Sequence, residues 1–187
     1  MTVILLNKPC GVLSQFTDAD AGRPTLKDFI DVPDVYAAGR LDRDSEGLLL
    51  LTDDGWLIHR LTGPRSHIEK TYYVLVEGDV TLEKLTQLSN GIQLKGYVTR
   101  PARFRLIPDP NLPPRPKPVT PHGPTAWLEV KLREGRKHQI RHMTAAVGLF
   151  TLRIFRAAIG PLTAAGLRSG EWRMLTKREL KSLLEQV

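Results

Sequence analysis

Cysteine is nearly absent from this sequence, because Cys10 is the single example among 187 residues. A lone thiol forms no internal disulfide, so the chain needs no oxidising compartment and a cytoplasmic location is expected. No run of about 18 apolar residues occurs, which argues against a transmembrane helix and against a membrane partner. The segment "TVILLN" has no basic stretch before it, so it indicates a buried first strand rather than a secretory signal.

Motifs for several other chemistries are also missing. The sequence holds no Gly-rich dinucleotide fingerprint, no Walker-type loop and no Ser, His and Asp arrangement suited to hydrolysis. His138 and His142 have the spacing of a two-histidine zinc site, but Gln139 stands where a metalloprotease needs its glutamate base. Neighbouring arginines would also repel a dication. We therefore expect no metal and no cofactor, and interpret the histidines as phosphate contacts or local packing groups.

Acidic residues are outnumbered by basic ones, 20 against 27, which leaves a net charge of +7 at pH 7. Such a charge favours a polyanionic partner through counterion release and electrostatic steering. The densest basic region faces only Glu134 as an opposing charge and contains Arg133, Arg136, Lys137, Arg141, Arg153 and Arg156. In a helix over "KHQIRHMTAAVG", positions 137, 141 and 144 would share one outward face. A solvated helix face is the alternative to an anion-binding surface.

The composition, 41% hydrophobic and 25% charged, is typical of a globular chain that is long enough to bury a core. We expect residues 1–187 to form one domain or two packed subdomains. Strands are predicted at "TVILLN", "VYAAGRLD", "GLLLLT", "KTYYVLVEG", "TAWLEVKL" and "FTLRIFRAAIG", with short strands in 92–107. Helices are predicted at "RPTLKDFI", "DDGWLIHRLT", "TLEKLTQLSNG", "KHQIRHMTAAVG" and "TKRELKSLLEQV". Because tight turns join several strands, an α+β fold with a mixed, largely antiparallel sheet is favoured.

Proline is concentrated in one segment, 108–124, which contains eight prolines in 17 positions. Proline donates no backbone hydrogen bond, so this segment is predicted to be an extended loop rather than a strand. It has two possible uses. A polyproline ligand is one, and an insertion that lies near an anionic partner is the other, because Arg115 and Lys117 supply positive charge.

One acidic residue has unusual surroundings in "AAGRLDRDSEGLLLLTDDG", residues 37–55. Asp42 lies between Arg40 and Arg43, and four leucines follow shortly after. A carboxylate flanked by cations stays ionised at low cost, and an apolar strand behind it holds it rigidly at a sheet edge. Those properties suit a catalytic group. A surface turn with weak, solvated salt bridges is the alternative.

Two adjacent tyrosines in "KTYYVLVEG" are expected to point to opposite faces of their strand. Tyr72 is a candidate core aromatic, as tyrosines in strands usually are. If one of the pair packs inward, the other can present its ring to a flat nucleobase. The sequence does not choose between Tyr72 and Tyr73.

Five segments together carry a resemblance to a known family: "LNKPCG" at 6–11, "GRLDRDSEGLLLLTDDG" at 39–55, "KTY" at 70–72, "EGRKHQIRHM" at 134–143 and "IFRAAIG" at 154–160. They resemble, in the correct order, the RNA pseudouridine synthases of the RsuA/RluA superfamily. The stretch "LSQFTDADAGRPTLKDFI" looks most like the short RluE-type enzymes. This resemblance implies a catalytic fold with a central cleft that isomerises a uridine of 23S ribosomal RNA.

The resemblance also implies roles for individual residues. Asp42 corresponds to the family's catalytic aspartate, and Arg141 to the arginine that pairs with the catalytic carboxylate. Tyr72 corresponds to the tyrosine that contacts the target base and is a candidate for the later proton removal. Ile154 takes the position of an apolar side chain under the base. The remaining positions are expected to bind RNA or phosphate, or to give structural support: Arg40, Arg136, Lys137, His138 and Arg156.

Three departures from the family pattern modify these expectations. Most RsuA-type enzymes carry an S4 RNA-binding domain before the catalytic part, and none is expected here, so RNA recognition falls to the catalytic domain and its loops. Ser45 replaces a common threonine but keeps the hydroxyl, and His142 replaces an arginine. We expect a monomer that binds ribosomal RNA. The alternatives are a 16S rRNA or tRNA uridine as substrate, or a non-catalytic RNA-binding factor in ribosome assembly.

Overall fold

A computed structural model describes residues 1–19 and 22–187. Its strands are β1 Val3–Lys8, β2 Tyr36–Ala37, β3 Glu46–Thr52, β4 Lys70–Glu77, β5 Gln93–Leu94, β6 Tyr97–Val98, β7 Arg103–Ile107, β8 Thr125–Leu132, β9 Phe150–Ile159, β10 Leu162–Thr163 and β11 Trp172–Met174. Its α-helices are α1 Gly55–Thr62, α2 Leu82–Asn90, α3 Gln139–Ala146 and α4 Lys177–Leu184. Residues 20 and 21, within the RluE-like stretch 13–30, lie outside the described residues.

The first compact unit consists of residues 1–68 and 156–187. Its centre is β1, which pairs antiparallel with β3 on one side and with β11 on the other. Every residue of β1 and β3 is buried, as expected for continuous apolar runs covered on both faces. Pairing places Ile4 opposite Leu51 and Leu6 opposite Leu49, and these four side chains belong to the same hydrophobic cluster. The leucine run therefore forms the core directly behind the loop that contains Asp42.

The second compact unit consists of residues 69–155. Here β8 lies between β4 and β7, and both pairings are antiparallel. The neighbouring β5–β6 hairpin pairs Leu94 with Tyr97 across the two-residue loop formed by Lys95 and Gly96. Gly96 has a φ of +86°, the left-handed conformation that short hairpin loops require. The largely antiparallel pairing and the separate helices confirm the predicted α+β class.

Side-chain caps define where most helices begin. The Asp54 carboxylate accepts a hydrogen bond from the Leu57 N–H at 2.9 Å, and the Thr81 and Thr176 hydroxyls cap α2 and α4 in the same way. These helices confirm the predictions at "DDGWLIHRLT", "TLEKLTQLSNG" and "TKRELKSLLEQV". The third helix differs from its prediction over 137–148, because it spans only Gln139–Ala146. Position 137 thus precedes the helix, and Thr144 is fully buried rather than on an outward face.

Other differences concern short elements. The segment "RPTLKDFI" forms only a 3₁₀ turn at Leu26–Asp28, capped by Thr25, and not the longer helix that was predicted. The strand predicted at "VYAAGRLD" contains two paired residues, Tyr36–Ala37. Both β10 and β11 were missed, because two or three residues are too few to show a period-two pattern.

The proline-rich segment 108–124 contains no helix and no strand, which confirms the predicted extended loop. Two arginine side chains attach it to β9. The Arg153 guanidinium donates to the Pro113 carbonyl at 2.8 Å, and Arg115 donates to the Leu152 carbonyl at 3.4 Å. The loop therefore packs against a strand of the second unit, to which it also belongs.

Within residues 1–19 and 22–187, no helix has both the length and the apolar composition needed to cross a membrane.

Candidate active site

The loop that carries Asp42 is held by hydrogen bonds to its backbone. The Ser14 hydroxyl donates to the Leu41 carbonyl at 2.8 Å and accepts from the Leu41 N–H at 3.1 Å. On the other side of Asp42, the Gly11 N–H donates to the Arg43 carbonyl at 2.7 Å, and the Ser45 N–H closes a turn onto the Asp42 carbonyl. The Asp42 side chain is half-buried. These hydrogen bonds fix the backbone on both sides of Asp42.

Lys8, at the end of β1, lies beneath this loop and is fully buried. Its ammonium group donates to the carbonyls of Pro9 and Val12 at 2.8 Å each, and to the Arg43 carbonyl at 3.2 Å. Burial lowers the pKa of Lys8 from 10.5 to about 8, against the opposing effect of nearby acidic groups. The lysine thus links the segment after β1 to the Asp42 loop. Sequence reasoning had assigned no role to Lys8, although it lies in the family motif "LNKPCG".

Arg156, predicted to contact phosphate or to give structural support, is 4% exposed. Its Nε donates to the Leu48 carbonyl of β3 at 2.7 Å. The backbones also approach closely, because a Cβ built on Gly47 would lie 2.7 Å from the Arg156 nitrogen. Gly47 has a φ of +103°, which favours glycine as well. Of the two predicted roles, these contacts favour structural support of the strand behind Asp42.

Arg40, predicted to bind RNA or to give structural support, is exposed. Its guanidinium donates to the Gln15 side chain at 3.3 Å.

The two tyrosines of β4 differ in burial. Tyr72 is 8% exposed and pairs with Val130 of β8, whereas its neighbour Tyr73 is half-buried and pairs with Glu129. Opposite orientations are the expected consequence of strand geometry. Ile154, in the part of β9 that belongs to the same unit, is 4% exposed. Both Tyr72 and Ile154 are therefore held in fixed positions by packing.

Arg141 lies on α3 and is oriented by β9. Its guanidinium donates to the Thr151 carbonyl at 3.1 Å. The hydroxyls of Thr144 and Thr151 hydrogen bond to each other at 2.8 Å, and the Thr144 hydroxyl also donates to the Arg141 carbonyl. This network explains why Thr144 is buried. The hydrogen bond to the Thr151 carbonyl also restricts the rotamers of this long cationic side chain.

The segment before α3 is organised by two buried or half-buried polar side chains that sequence reasoning did not assign. The Gln139 amide donates to the Glu134 carboxylate at 2.5 Å and accepts from the Arg136 N–H at 3.0 Å. The same carboxylate accepts from the Arg100 N–H at 2.9 Å. Between them, His138 adopts a left-handed conformation with φ 54° and ψ 23°. Non-glycine residues in this conformation are uncommon, and they concentrate at functional sites.

The predicted RNA-binding residues of this segment are exposed: Arg136, Lys137 and His138. The rings of His138 and His142 are 6.2 Å apart and tilted by 51°. In the described part of the chain, no three His, Cys, Asp or Glu side chains are grouped so that they could hold a metal ion.

The predicted site residues are divided between the two compact units of the chain. Arg40, Asp42 and Arg156 belong to the first, and the others belong to the second.

Comparisons with known proteins agree with the resemblance found in the motifs. The sequence model of the RNA pseudouridylate synthase family matches residues 2–146. The chain is 52% identical over 183 residues to the ribosomal large subunit pseudouridine synthase E of Xanthomonas campestris pv. campestris. The aligned region covers 96% of this chain and 98% of that protein. It is 39% identical over 186 residues to the ribosomal small subunit pseudouridine synthase A of Escherichia coli strain K12, covering 96% of this chain and 73% of that protein.

A solved structure supports the same assignment. The crystal structure of a pseudouridylate synthase has a TM-score of 0.81 to this chain at 34% sequence identity, and the match covers 97% of this chain and 73% of that one. The match to the family model includes the Asp42 loop, β4 and all of α3. The chain therefore belongs to the RNA pseudouridylate synthase family and is an isomerase of the RsuA/RluA type.

Proposed function

We propose that this protein converts a uridine of 23S ribosomal RNA to pseudouridine, with Asp42 as the catalytic carboxylate. The observation that carries the proposal is the anchoring of the Asp42 loop, whose flanking residues Leu41 and Arg43 are hydrogen bonded to Ser14 and Lys8. The choice of 23S RNA is supported by the relative named for the large subunit, which is more similar and matched over nearly its whole length. The relative named for the small subunit is less similar and matched over less of its length.

The reaction is an isomerisation in which one bond replaces another. The glycosidic bond from N1 of uracil to the ribose carbon breaks, the base turns within the site, and C5 bonds to the same carbon. A proton leaves C5, and N1 carries a proton in the product. Because substrate and product have the same composition, the reaction is redox-neutral and consumes no second substrate. A uridine within a helix must first be extruded to expose these atoms.

The proposed catalytic residues and Ile154 have different tasks. The Asp42 carboxylate attacks the ribose carbon or assists departure of the base, two routes that both require an anion. Arg141 supplies the positive charge that stabilises the catalytic carboxylate in a partly dehydrated site. Tyr72 contacts the uracil and is positioned for the later removal of the C5 proton, and Ile154 provides an apolar surface under the base. Tyr72 and Ile154 are 8% and 4% exposed, so packing fixes the positions of both side chains.

RNA binding is assigned to exposed cations, because phosphate contacts provide most of the affinity in such complexes. Arg40 is adjacent to the Asp42 loop in sequence, whereas Arg136, Lys137 and His138 precede α3. All four are exposed. We further propose that the protein acts as a monomer in the cytoplasm, where ribosomal RNA is made and modified in bacteria.

The test is a comparison of Asp42→Asn with the matched control Asp44→Asn on unmodified 23S rRNA. Asp44 is an exposed neighbour in the same loop, and its carboxylate lies 3.5 Å from the Arg43 guanidinium. Asp42→Asn is expected to bind RNA and yield no pseudouridine, while Asp44→Asn remains active. Turnover by Asp42→Asn would remove Asp42 from the chemistry.

The substrate is identified in the same assay by mapping pseudouridine chemically in 23S rRNA, 16S rRNA and tRNA incubated in parallel. Product in 23S rRNA alone is expected. Product confined to 16S rRNA or tRNA would establish the alternative substrate. Binding of wild-type protein with no product in any of the three would indicate a non-catalytic assembly factor.

A further inference from the structure

A surface cleft of about 1070 Å³ lies within the second unit. Its walls are the β5–β6 hairpin and the α3 region, and its lining consists of residues 94–97, Arg136, Lys137, His142, Ala145 and Ala146. Arg141 itself does not line the cleft, and its side chain contacts β9. None of Tyr72, Arg141 and Ile154, the residues of this unit that are assigned to the chemistry, lines the cleft.

The cleft is positively charged. Lys95, Arg136 and Lys137 are all exposed, and His142 adds a further nitrogen-bearing side chain. No Asp or Glu among the described residues lines the cleft. A concave surface with one sign of charge concentrates counterions, so this cleft favours an anionic ligand.

An aromatic ring and a guanidinium are stacked within this charged surface. The Arg136 guanidinium carbon lies 4.0 Å from the centroid of the Tyr97 ring, well within the range of a cation–π contact. Tyr97 is half-buried, whereas Arg136 is exposed and can therefore meet a ligand. Guanidinium planes of this kind are surfaces on which unpaired nucleobases stack. The small side chains of Ala145 and Ala146 leave room beside the pair.

The hairpin that presents Tyr97 is internally braced. The Gln93 side-chain amide donates to the Leu94 carbonyl at 2.8 Å and to the Tyr97 carbonyl at 3.1 Å, across the turn. Lys95 is in the two-residue loop of this hairpin. A braced platform loses little conformational entropy when a ligand binds, which favours a preformed binding surface.

We propose that this cleft binds a single-stranded segment of the substrate RNA. One base stacks on the Arg136–Tyr97 pair, and the adjacent phosphates contact Lys95 and Lys137. A base-paired segment cannot use the platform, because its bases are already stacked within the helix. The inference rests on the proposed function, in that the ligand is the RNA substrate, and it adds two residues, Tyr97 and Lys95, that the family motifs do not include.

The test measures the binding of a fluorescein-labelled oligoadenylate and of a labelled RNA duplex by fluorescence anisotropy at several salt concentrations. Tyr97→Leu is expected to weaken single-strand binding by about tenfold and to leave duplex binding unchanged, because only an unpaired base can stack. Tyr97→Phe keeps the ring and should bind as the wild type does. Thermal unfolding followed by circular dichroism establishes that Tyr97→Leu is folded.

Two charge variants test the cleft without altering the platform. Lys95→Ala and Lys137→Ala are each expected to weaken binding and to reduce the slope of log affinity against log salt by about 0.7, the value for one phosphate contact in single strands. Lys181→Ala is the matched control, because this exposed lysine of α4 belongs to the first unit. It changes the net charge equally and should keep the wild-type slope.

Several results would overturn the inference. Wild-type affinity of Tyr97→Leu for oligoadenylate is one, and lysine variants that behave as Lys181→Ala does are another. Displacement of the RNA by oligoglutamate with equal affinity, independent of Tyr97, would assign the cleft to an acidic protein instead. The proposed function fails separately: Tyr97-dependent binding by an enzyme that forms no pseudouridine would support the cleft and contradict the catalytic proposal.

Discussion

The Lys8 ammonium group donates a hydrogen bond to the carbonyl of Arg43 at 3.2 Å, one residue beyond Asp42. Because the same group also binds the carbonyls of Pro9 and Val12, all three of its N–H donors have acceptors. The Lys8 ammonium group thus holds the segment after β1 and the Asp42 loop together. The position of the Asp42 backbone thus depends on a residue that is 34 positions earlier in the sequence.

Lys8→Met is expected to destabilise the protein and to lower its catalytic rate. The variant leaves buried carbonyls without their donor, but it also avoids burial of an ammonium group, so the net loss is about 2 kcal/mol in the free energy of unfolding. Urea unfolding at pH 7 measures this loss, and single-turnover kinetics measure the rate. Lys27→Met, at an exposed lysine of the same unit, is the control and should change neither quantity. An unaltered rate in Lys8→Met would contradict a role in positioning the loop.

Lys8 also predicts a pH dependence of stability. Its pKa is about 8 in the folded protein and 10.5 when exposed, so between these values the unfolded chain binds more protons than the folded one. The unfolding free energy contributed by this group therefore increases with pH across that window, by up to about 3 kcal/mol in total. Below pH 8 both states are protonated and the contribution is constant. Unfolding free energies of wild type and Lys8→Met between pH 7 and pH 10 test this difference; parallel curves would contradict it.

Gly47→Ala is expected to be strongly destabilising. The added methyl group would lie 2.7 Å from the backbone nitrogen of Arg156, and the φ of +103° disfavours any side chain. Backbone atoms of a paired strand cannot move aside easily, so a loss of about 3 kcal/mol is expected. Gly55→Ala is the matched control, because Gly55 begins α1 in open space and alanine favours a helix. Thermal unfolding should show opposite shifts for the two variants.

Arg141→Ala is expected to lower pseudouridine formation by about 100-fold or more, the usual effect of removing one preorganised electrostatic partner. Its cost in stability should be about 1 kcal/mol, the usual contribution of a hydrogen bond such as the one that this side chain donates to the Thr151 carbonyl. Arg141→Lys keeps the charge but not the planar geometry, and an intermediate rate is expected. Arg178→Ala, at an exposed position of α4, serves as the control. Near wild-type turnover in Arg141→Ala would defeat the assignment.

The long elements were predictable because their patterns are strong. Apolar runs of β1 and β3, alternation in β8 and the capping residues Asp54 and Thr81 each indicate one conformation locally. The third helix was predicted too long because its start depends on a left-handed His138 and on the Gln139–Glu134 hydrogen bond. Contacts of that kind leave no periodic signal in a sequence.

The sequence by itself determined the candidate catalytic and binding residues, the fold class and the family. These follow from residue types, their spacing and their order. The tertiary structure decided which of two adjacent tyrosines is buried, what Lys8 does and where Arg136 stacks. Each of these outcomes depends on contacts between residues distant in the chain. Hydrogen bonds and burial of this kind are specified by packing in three dimensions, whereas a linear pattern records only which side chains are available.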